Sequence, residues 1–282
     1  MTLPLSSAHA SRLELLEECG STNAELLARA ADAWPDFSVV VTTNQTAGRG
    51  RLGRVWVAPP GQSLAVSVLL WPGFPLEHFG WLPLLAGLAM TRAVETVLAL
   101  SETVLAFPET VLAFPETRQQ PSRKVEVGLK WPNDVQVDGL KVSGLLAELL
   151  PGADGVVVGA GLNLSIPEAE LPTQNSTSLI LNGAQADDLL DRALASYLGE
   201  LKLGYEALQK HGGDAEASGI RHLVEERCNT IGQRIRVELP DGSSVYGRAT
   251  GIDSTGRLTF TSDADASVQA VAAGDVTHLR YE

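Results

Sequence analysis

Two clusters in this sequence hold residues suited to handling anions. The first is Gly48-Arg49-Gly50-Arg51-Leu52-Gly53, with Arg54 directly after it. Glycines let a backbone approach a ligand closely, and guanidinium groups match the oxygens of a phosphate or carboxylate with a two-pronged fork. No Asp or Glu occurs between Phe37 and Leu76, while the whole chain carries 34 acidic against 21 basic residues and a formal charge of −13. Positive charge is therefore concentrated in one window, although an Arg-rich turn that only solvates a hairpin has the same composition. The second cluster is Lys130-Trp131-Pro132-Asn133-Asp134, with Lys141 seven positions after Asp134 and Asp138-Gly139 between them as a turn. If the flanking strands pair about this turn, Lys141 comes back towards Lys130, and two ammonium groups, an amide and a carboxylate meet at one end of a sheet. That set suits an anionic reaction centre with a divalent ion, and an ordinary charged hairpin shares its spacing.

The first cluster also satisfies GxGxxG after a strand, the pattern of a dinucleotide site. That pattern needs a helix opening after the last glycine and an acid about 20 residues on. Here Arg54-Val55-Trp56-Val57 favours a strand, Pro59-Pro60 blocks a helix, and the acid is missing. A Rossmann site is excluded.

The 282 residues are 44% hydrophobic and 5% aromatic, enough for one large domain or a large one with a small one. The acidic balance speaks against a protein that coats nucleic acid. No apolar run is expected to reach the roughly 20 residues of a membrane span, since Leu82 to Met90 is cut by Pro and Gly. The N-terminus lacks the basic and apolar stretches of a signal peptide, and Cys19 and Cys228 share no metal or redox spacing, so the reading is a cytoplasmic protein with reduced thiols.

Stepping outward to the elements, Thr22 and Glu25 have the spacing of a capping box, which places Ser21-Thr22-Asn23 at the mouth of a helix. Strands are expected over 38–42, from Val55, and over 64–70. After them come 125–131, 135–137, 141–150 and 155–164, joined by turns too short for crossover helices and therefore antiparallel. A helix over 186–209 covers this sheet. From Gly232 the pattern changes to short alternating strands (234–239, 244–252, 258–261, 267–272), a small β-barrel of about 50 residues. A seven-residue repeat, ETVLALS-ETVLAFP-ETVLAFP-ET, fills 95–117. Pro108 and Pro115 oppose a coiled coil, so the helix from Trp81 is expected to end near Leu100 and to be followed by an inserted loop.

Taken in order, these motifs resemble the biotin protein ligase family. The resemblance rests on STN at 21–23, QTAGRGRLGR at 45–54 with Trp56, KWPND at 130–134, KVSGLLAE at 141–148, GAGLNL at 159–164 and TSL at 177–179. The closing GRATGIDSTGRLTF and GDVTHLR are similar to the family's C-terminal domain. The heptad insertion and Leu52, where relatives often carry a polar or basic residue, are departures.

The resemblance implies an α+β fold: a class II synthetase-like ligase domain with a mixed, largely antiparallel sheet and helices on one face (1–229), then an SH3-like barrel (230–282). It implies ATP-dependent activation of biotin as biotinyl-5′-AMP, with Mg²⁺, and transfer to a lysine of a biotin carboxyl carrier domain such as that of acetyl-CoA carboxylase. Lys141, Arg51, Lys130 and Asp134 would be catalytic. Biotin would meet Ser21, Thr22, Asn23, Gln45, Gly48, Arg49, Gly50, Arg51, Lys141, Gly144, Gly159 and Gly161, the last three glycines leaving room for the bicyclic ring and its chain. ATP would meet Arg49, Arg51, Trp56, Lys130, Asn133, Lys141 and Asn163. Asp134 is left open between a base and a metal-positioning group. With about twenty residues before Ser21, the DNA-binding domain of some relatives is not expected, nor is a repressor role, a nucleic-acid partner or a membrane; a monomer or homodimer is. The rival enzyme is a lipoate ligase. The rival outside enzymes is an RNA-binding module using the Arg loop and the barrel.

Overall fold

The computed structural model describes residues 2–105, 125–238, 242–272 and 275–278; repeat residues 106–117, with the expected inserted loop, lie outside them. In chain order the N-terminal part contains β1 (Arg12–Leu16), β2 (Ser38–Thr42), β3 (Gly48–Arg49), β4 (Val55–Trp56), β5 (Ser63–Leu70), β6 (Val127–Lys130), β7 (Asp134–Val137), β8 (Leu140–Leu149) and β9 (Val156–Asn163). Seven of these form one sheet, ordered β1-β2-β5-β9-β8-β7-β6, and β3 pairs with β4 as a separate hairpin. Neighbours run antiparallel except β1 and β2, which are parallel. A parallel pair needs a crossover, and the chain between them contains a helix.

Three sheet strands, SVVVT, SLAVSVLL and VVVGAGLN, are buried along their whole length. Their β-branched and leucine side chains alternate between two apolar clusters. Val39, Val41, Val66, Val68 and Val158 join one, whereas Val40, Leu69 and Val157 join the other. Five helices, α1 (Pro4–Ser7), α2 (Thr22–Ala30), α3 (Trp81–Leu105), α4 (Leu189–Lys210) and α5 (Ile220–Arg227), supply the covers. The larger cluster lies under α3 and α4, the smaller under α2 with Leu26, Ala30 and Trp34. Each large aliphatic side chain fully buried here contributes roughly 1.5–3 kcal/mol. A Cβ on Gly204 of α4 would lie 2.3 Å from Leu85 Cδ1, so a glycine sets how closely α4 approaches α3. Buried Asp191 of α4 accepts the N–H groups of Leu5 and Ser6, giving α1 the acceptor that its own side chains do not provide.

The expected strands are present in place, and the meander β6-β7-β8-β9 is antiparallel as the short turns require. Other details differ. Helix α3 continues to Leu105, taking in the first heptad and part of the second, because the first proline of the repeat stands only at 108. The segment Leu76–Ala99 does have the length and mean hydropathy of a membrane span, contrary to the expectation, but 72% of its apolar window is buried in the protein's own core. No capping box forms at α2: Ser21 is the N-cap and makes no side-chain cap bond, since the Thr22 hydroxyl is engaged elsewhere. Strand β1 and helix α5 were not anticipated.

The C-terminal part is a five-stranded antiparallel sheet of β10 (Arg234–Glu238), β11 (Ser244–Ile252), β12 (Leu258–Ser262), β13 (Val268–Val271) and β14 (Asp275–His278), ordered β13-β12-β11-β10-β14. The expected strands account for four; β14 adds the fifth. This sheet is locked to the first domain beneath Lys130-Trp131. Leu129 bridges to Cys228, Trp131 N–H donates to Thr230 Oγ1 at 3.0 Å, and the indole N–H groups of Trp131 and Trp81 donate to the carbonyls of Gly256 and Ser254.

Candidate active site

A cavity of about 770 Å³ opens on the face of the sheet that α2 covers only in part. Strand alternation builds its floor. In β9 the face that carries Val157 continues as Gly159 and Gly161, and in β5 the face that carries Leu69 continues as Ser67 and Ala65. The register pairs Gly144 with Gly161, Leu146 with Gly159 and Glu148 with Val157, so these β8 residues share that face. Large apolar residues beneath α2 thus give way to small and polar ones where the cavity begins.

The first turn of α2 forms one wall. Ser21, Thr22 and Asn23 are all buried. Gln45 Oε1 accepts the Thr22 N–H at 2.9 Å and its hydroxyl at 3.2 Å. Ser67 Oγ lies 2.7 Å from Thr22 Oγ1 and 2.6 Å from Asn23 Oδ1. All three floor glycines already have company: a Cβ on Gly159 would lie 2.1 Å from Asn23 Oδ1, one on Gly161 2.4 Å from the Trp56 ring, and one on Gly144 2.9 Å from Lys141 Nζ. Their missing side chains therefore seat Asn23, Trp56 and Lys141, in addition to leaving space above the sheet. Gly48 does not line the cavity; it packs behind it, where a Cβ would meet Gln45 and the Trp56 carbonyl at 2.5 Å.

The opposite wall carries the cations. Asp134 pairs in register with Lys130 on β6, and its Oδ1 lies 2.6 Å from Lys141 Nζ. Lys141 therefore reaches the Lys130 end of the sheet as the turn requires, but its register partner is Gln136 and Asp134 stands between the two ammonium groups. Half-buried Lys130 lines the cavity without an ion pair among the described residues. Asn133 Oδ1 accepts from Arg51 Nη1 at 3.1 Å, which ties the Gly/Arg hairpin to this wall. Residues 175–177 close the end of β8: Lys141 N–H donates to the Asn175 carbonyl and Thr177 N–H to the Lys141 carbonyl.

Two buried polar atoms at the cavity lack a partner, Trp56 Nε1 and Asn163 Oδ1. Asn163 spends its amide donor on the Thr177 carbonyl at 2.9 Å. An unmet buried donor or acceptor costs about 1–3 kcal/mol, so both atoms favour a ligand that has complementary polar edges. Cys19 does not line the cavity, and burial pushes its thiol up to about 11, which keeps it protonated at neutral pH. No group of three or more His, Cys, Asp and Glu side chains gathers as a metal cluster among the described residues, and Asp134 is the carboxylate on the cavity wall.

With the exception of Gly48, every residue expected in the site lines this one cavity. Residues that the sequence did not single out stand beside them: Ser67 beneath Thr22 and Asn23, Glu148 against Asn23 and Arg49, and Pro172, Thr173 and Ser176 on the closing segment. A lone serine inside the apolar run SLAVSVLL was a visible signal for Ser67.

Residues 19–163 match the Biotin/lipoate A/B protein ligase family, and residues 230–279 match the Biotin protein ligase C terminal domain. The chain is 37% identical over 271 residues to the biotin–[acetyl-CoA-carboxylase] ligase of Mycobacterium tuberculosis, covering 95% of this chain and 90% of that one. Among solved structures it is similar to the biotin protein ligase of Aquifex aeolicus in complex with biotin and ATP, at TM-score 0.66 and 24% identity over 96% of this chain and 100% of that one. The biotin protein ligase of Leishmania major in complex with biotinyl-5-AMP matches at TM-score 0.56 and 26% identity over 93% and 99%.

Proposed function

The chain belongs to the biotin/lipoate A/B protein ligase family, and from that premise we propose that it is an ATP-dependent biotin–protein ligase. It activates biotin as biotinyl-5′-AMP and transfers the acyl group to a lysine of a carrier domain such as that of acetyl-CoA carboxylase. The observation that carries this reading is the meeting of the α2 mouth, the Gly/Arg hairpin and the Lys130–Lys141 wall around one cavity.

In the first step a carboxylate oxygen of biotin attacks the α-phosphorus of ATP, the bond to the β-phosphate oxygen breaks, and pyrophosphate leaves. Two anions must approach, so the barrier is largely electrostatic and preplaced cations lower it. Lys141, Lys130, Arg49 and Arg51 are those cations, Lys141 fixed by Asp134 and Arg51 by Asn133. Mg²⁺ bound with ATP would supply further charge neutralisation. A hard cation of this kind keeps phosphate and water oxygens and one or two carboxylates, and the single wall carboxylate Asp134 fits that demand. The hydroxyl and amide atoms of Ser21, Thr22, Asn23 and Gln45 suit the carbonyl and two N–H groups of a ureido ring. Trp56 and Asn163, with their unmet polar atoms, suit the adenine base.

In the second step the ε-amine of the acceptor lysine attacks the acyl carbon, the carbon–oxygen bond to AMP breaks, and the amine loses a proton. Asp134 stands where it can orient that amine. Because a mixed anhydride hydrolyses in water, the Gly/Arg hairpin serves as the lid that excludes it.

The purified protein given ATP and Mg²⁺ should form biotinyl-AMP from biotin and no lipoyl-AMP from lipoate, as read by mass spectrometry. Lipoyl-AMP without biotinyl-AMP would sink the reading.

A further inference from the structure

Glu148 lies outside the cavity wall, yet it touches two residues that the proposed reading places on the ligand. Its Oε2 accepts from Asn23 Nδ2 at 2.7 Å and from Arg49 Nη2 at 3.2 Å. It sits near the end of β8, paired in register with Val157 of the fully buried strand β9, whereas β7 flanks β8 only as far as Gly144. Its two partners belong to less anchored elements: Asn23 to the first turn of α2, and Arg49 to a strand of two residues whose side chain is 45% exposed.

An ionised carboxylate can only accept, so it dictates which end of the Asn23 amide faces it. With Nδ2 directed at Glu148 and the Leu146 carbonyl, Oδ1 turns to the Ser67 hydroxyl and keeps one lone pair for a ligand N–H. The same oxygen draws in the Arg49 guanidinium, which otherwise hangs on a hairpin with two paired positions. We propose that Glu148 is a positioning residue for biotin: through one carboxylate oxygen it sets the orientation of the Asn23 amide and tethers the Arg49 hairpin to β8. This inference rests on the biotin ligase reading. Glu148 bonds to neither Lys141 nor Asn163, and Arg49 is its one link to the cations of the first step, so its main effect falls on biotin occupancy.

The test measures biotinyl-AMP formation by the full chain, with biotin and ATP varied in turn. Glu148→Gln keeps an acceptor for Asn23 and removes the charge facing Arg49, and the biotin KM should rise by up to about fivefold, the scale of a partly exposed ion pair. Glu148→Ala also takes away the shorter of the two bonds made by Asn23 Nδ2, leaving it the Leu146 carbonyl at 3.2 Å, and the biotin KM should rise by roughly tenfold. In both variants kcat and the ATP KM should change less than the biotin KM, the smaller loss passing through Arg49 alone. Added salt should raise the biotin KM more steeply in the wild type than in Glu148→Gln, since the wild type has this pair to screen in addition to the attraction between biotin and the site's cations. If Glu148→Ala does not fold, the isosteric Gln variant and its salt response decide alone. A biotin KM unchanged in the Gln variant, or losses shared equally between biotin and ATP, would overturn the inference while wild-type activity leaves the ligase reading standing. A wild-type protein that makes no biotinyl-AMP removes the reading and the inference together.

Discussion

The two basic arms of the cavity are built in opposite ways. The Lys130–Lys141 wall grows from strands β6 to β8, with Trp131 only 1% exposed beneath it and the C-terminal sheet bonded to that tryptophan. The Gly/Arg hairpin has two paired positions, and Leu52, Val55 and Val57 are 63%, 70% and 62% exposed. A cation that must meet a developing charge gains most when it is fixed beforehand, because no reorganisation is then needed as the charge forms. A cover over a reactive intermediate has to open and close, and it is drawn from the least supported part of the fold. On the proposed reading, the contrast makes the wall the fixed source of charge, and the hairpin a cover that brings Arg49 and Arg51 to the ligand as it closes.

The wall should give the largest loss. Lys141→Ala removes the ammonium that Asp134 holds and leaves that carboxylate beside the incoming anions. Biotinyl-AMP formation is expected to fall by at least roughly 100-fold, with the thermal unfolding temperature little changed. A near-normal rate of pyrophosphate release would take Lys141 out of the reaction and dissolve the contrast.

The wall's rigidity is borrowed from the C-terminal sheet, and Gly256 tests that. Gly256 has φ +86, and a Cβ there would lie 2.8 Å from the Gly80 carbonyl. Gly256→Ala therefore meets both backbone strain and a contact with backbone that cannot rotate away, a cost of about 1–3 kcal/mol. Unfolding should move down by several degrees. The first step should slow as the Trp131 indole loses its acceptor, while biotin binding, measured by calorimetry, should persist. Unchanged adenylation in a destabilised variant would show that the sheet stabilises the fold without positioning the wall.

Arg51→Gly acts on the other arm. It loosens the link to Asn133, so the adenylate should escape several-fold faster and label lysines of unrelated proteins, with the first step less affected. An unchanged adenylate lifetime would contradict the lid.

The wall was more legible in sequence than the hairpin's supports, for a physical reason. KWPND and Lys141 are joined by one tight turn, and local chemistry decides their pairing. Glu148 meets Arg49 across 99 positions, and nothing short of the β8–β9 register places it. The capping box at Thr22 failed in the same way. Its hydroxyl answers to Gln45 and Ser67, partners that only the assembled sheet brings near. Strand β1 pairs with β2 across the whole of α2, and the period-2 signal in a partly exposed edge strand is weak. Helix α3 passed its expected end because the proline that breaks the pattern comes later than the change of repeat.

The smallest effect should come from the hairpin's tip, and it bears on whether the loose arm is loose by necessity. Leu52 holds φ 55 and ψ 37, a left-handed conformation that costs a leucine about 1–2 kcal/mol, and its side chain is 63% exposed with no packing in return. Asparagine adopts this conformation more readily, since its short amide can bond to the nearby backbone. Leu52→Asn is therefore expected to stabilise the hairpin by under about 1 kcal/mol and to raise the unfolding temperature by no more than a few degrees. Because Leu52 itself carries no charge and Arg51 beside it is unchanged, the first-step rate should hold. If the lid works by opening, a tip relieved of strain should close more often, and the adenylate should survive slightly longer in the absence of acceptor. A shorter lifetime would mean that exposed Leu52 covers the intermediate with its own side chain, and the strain at this position would then be part of the lid.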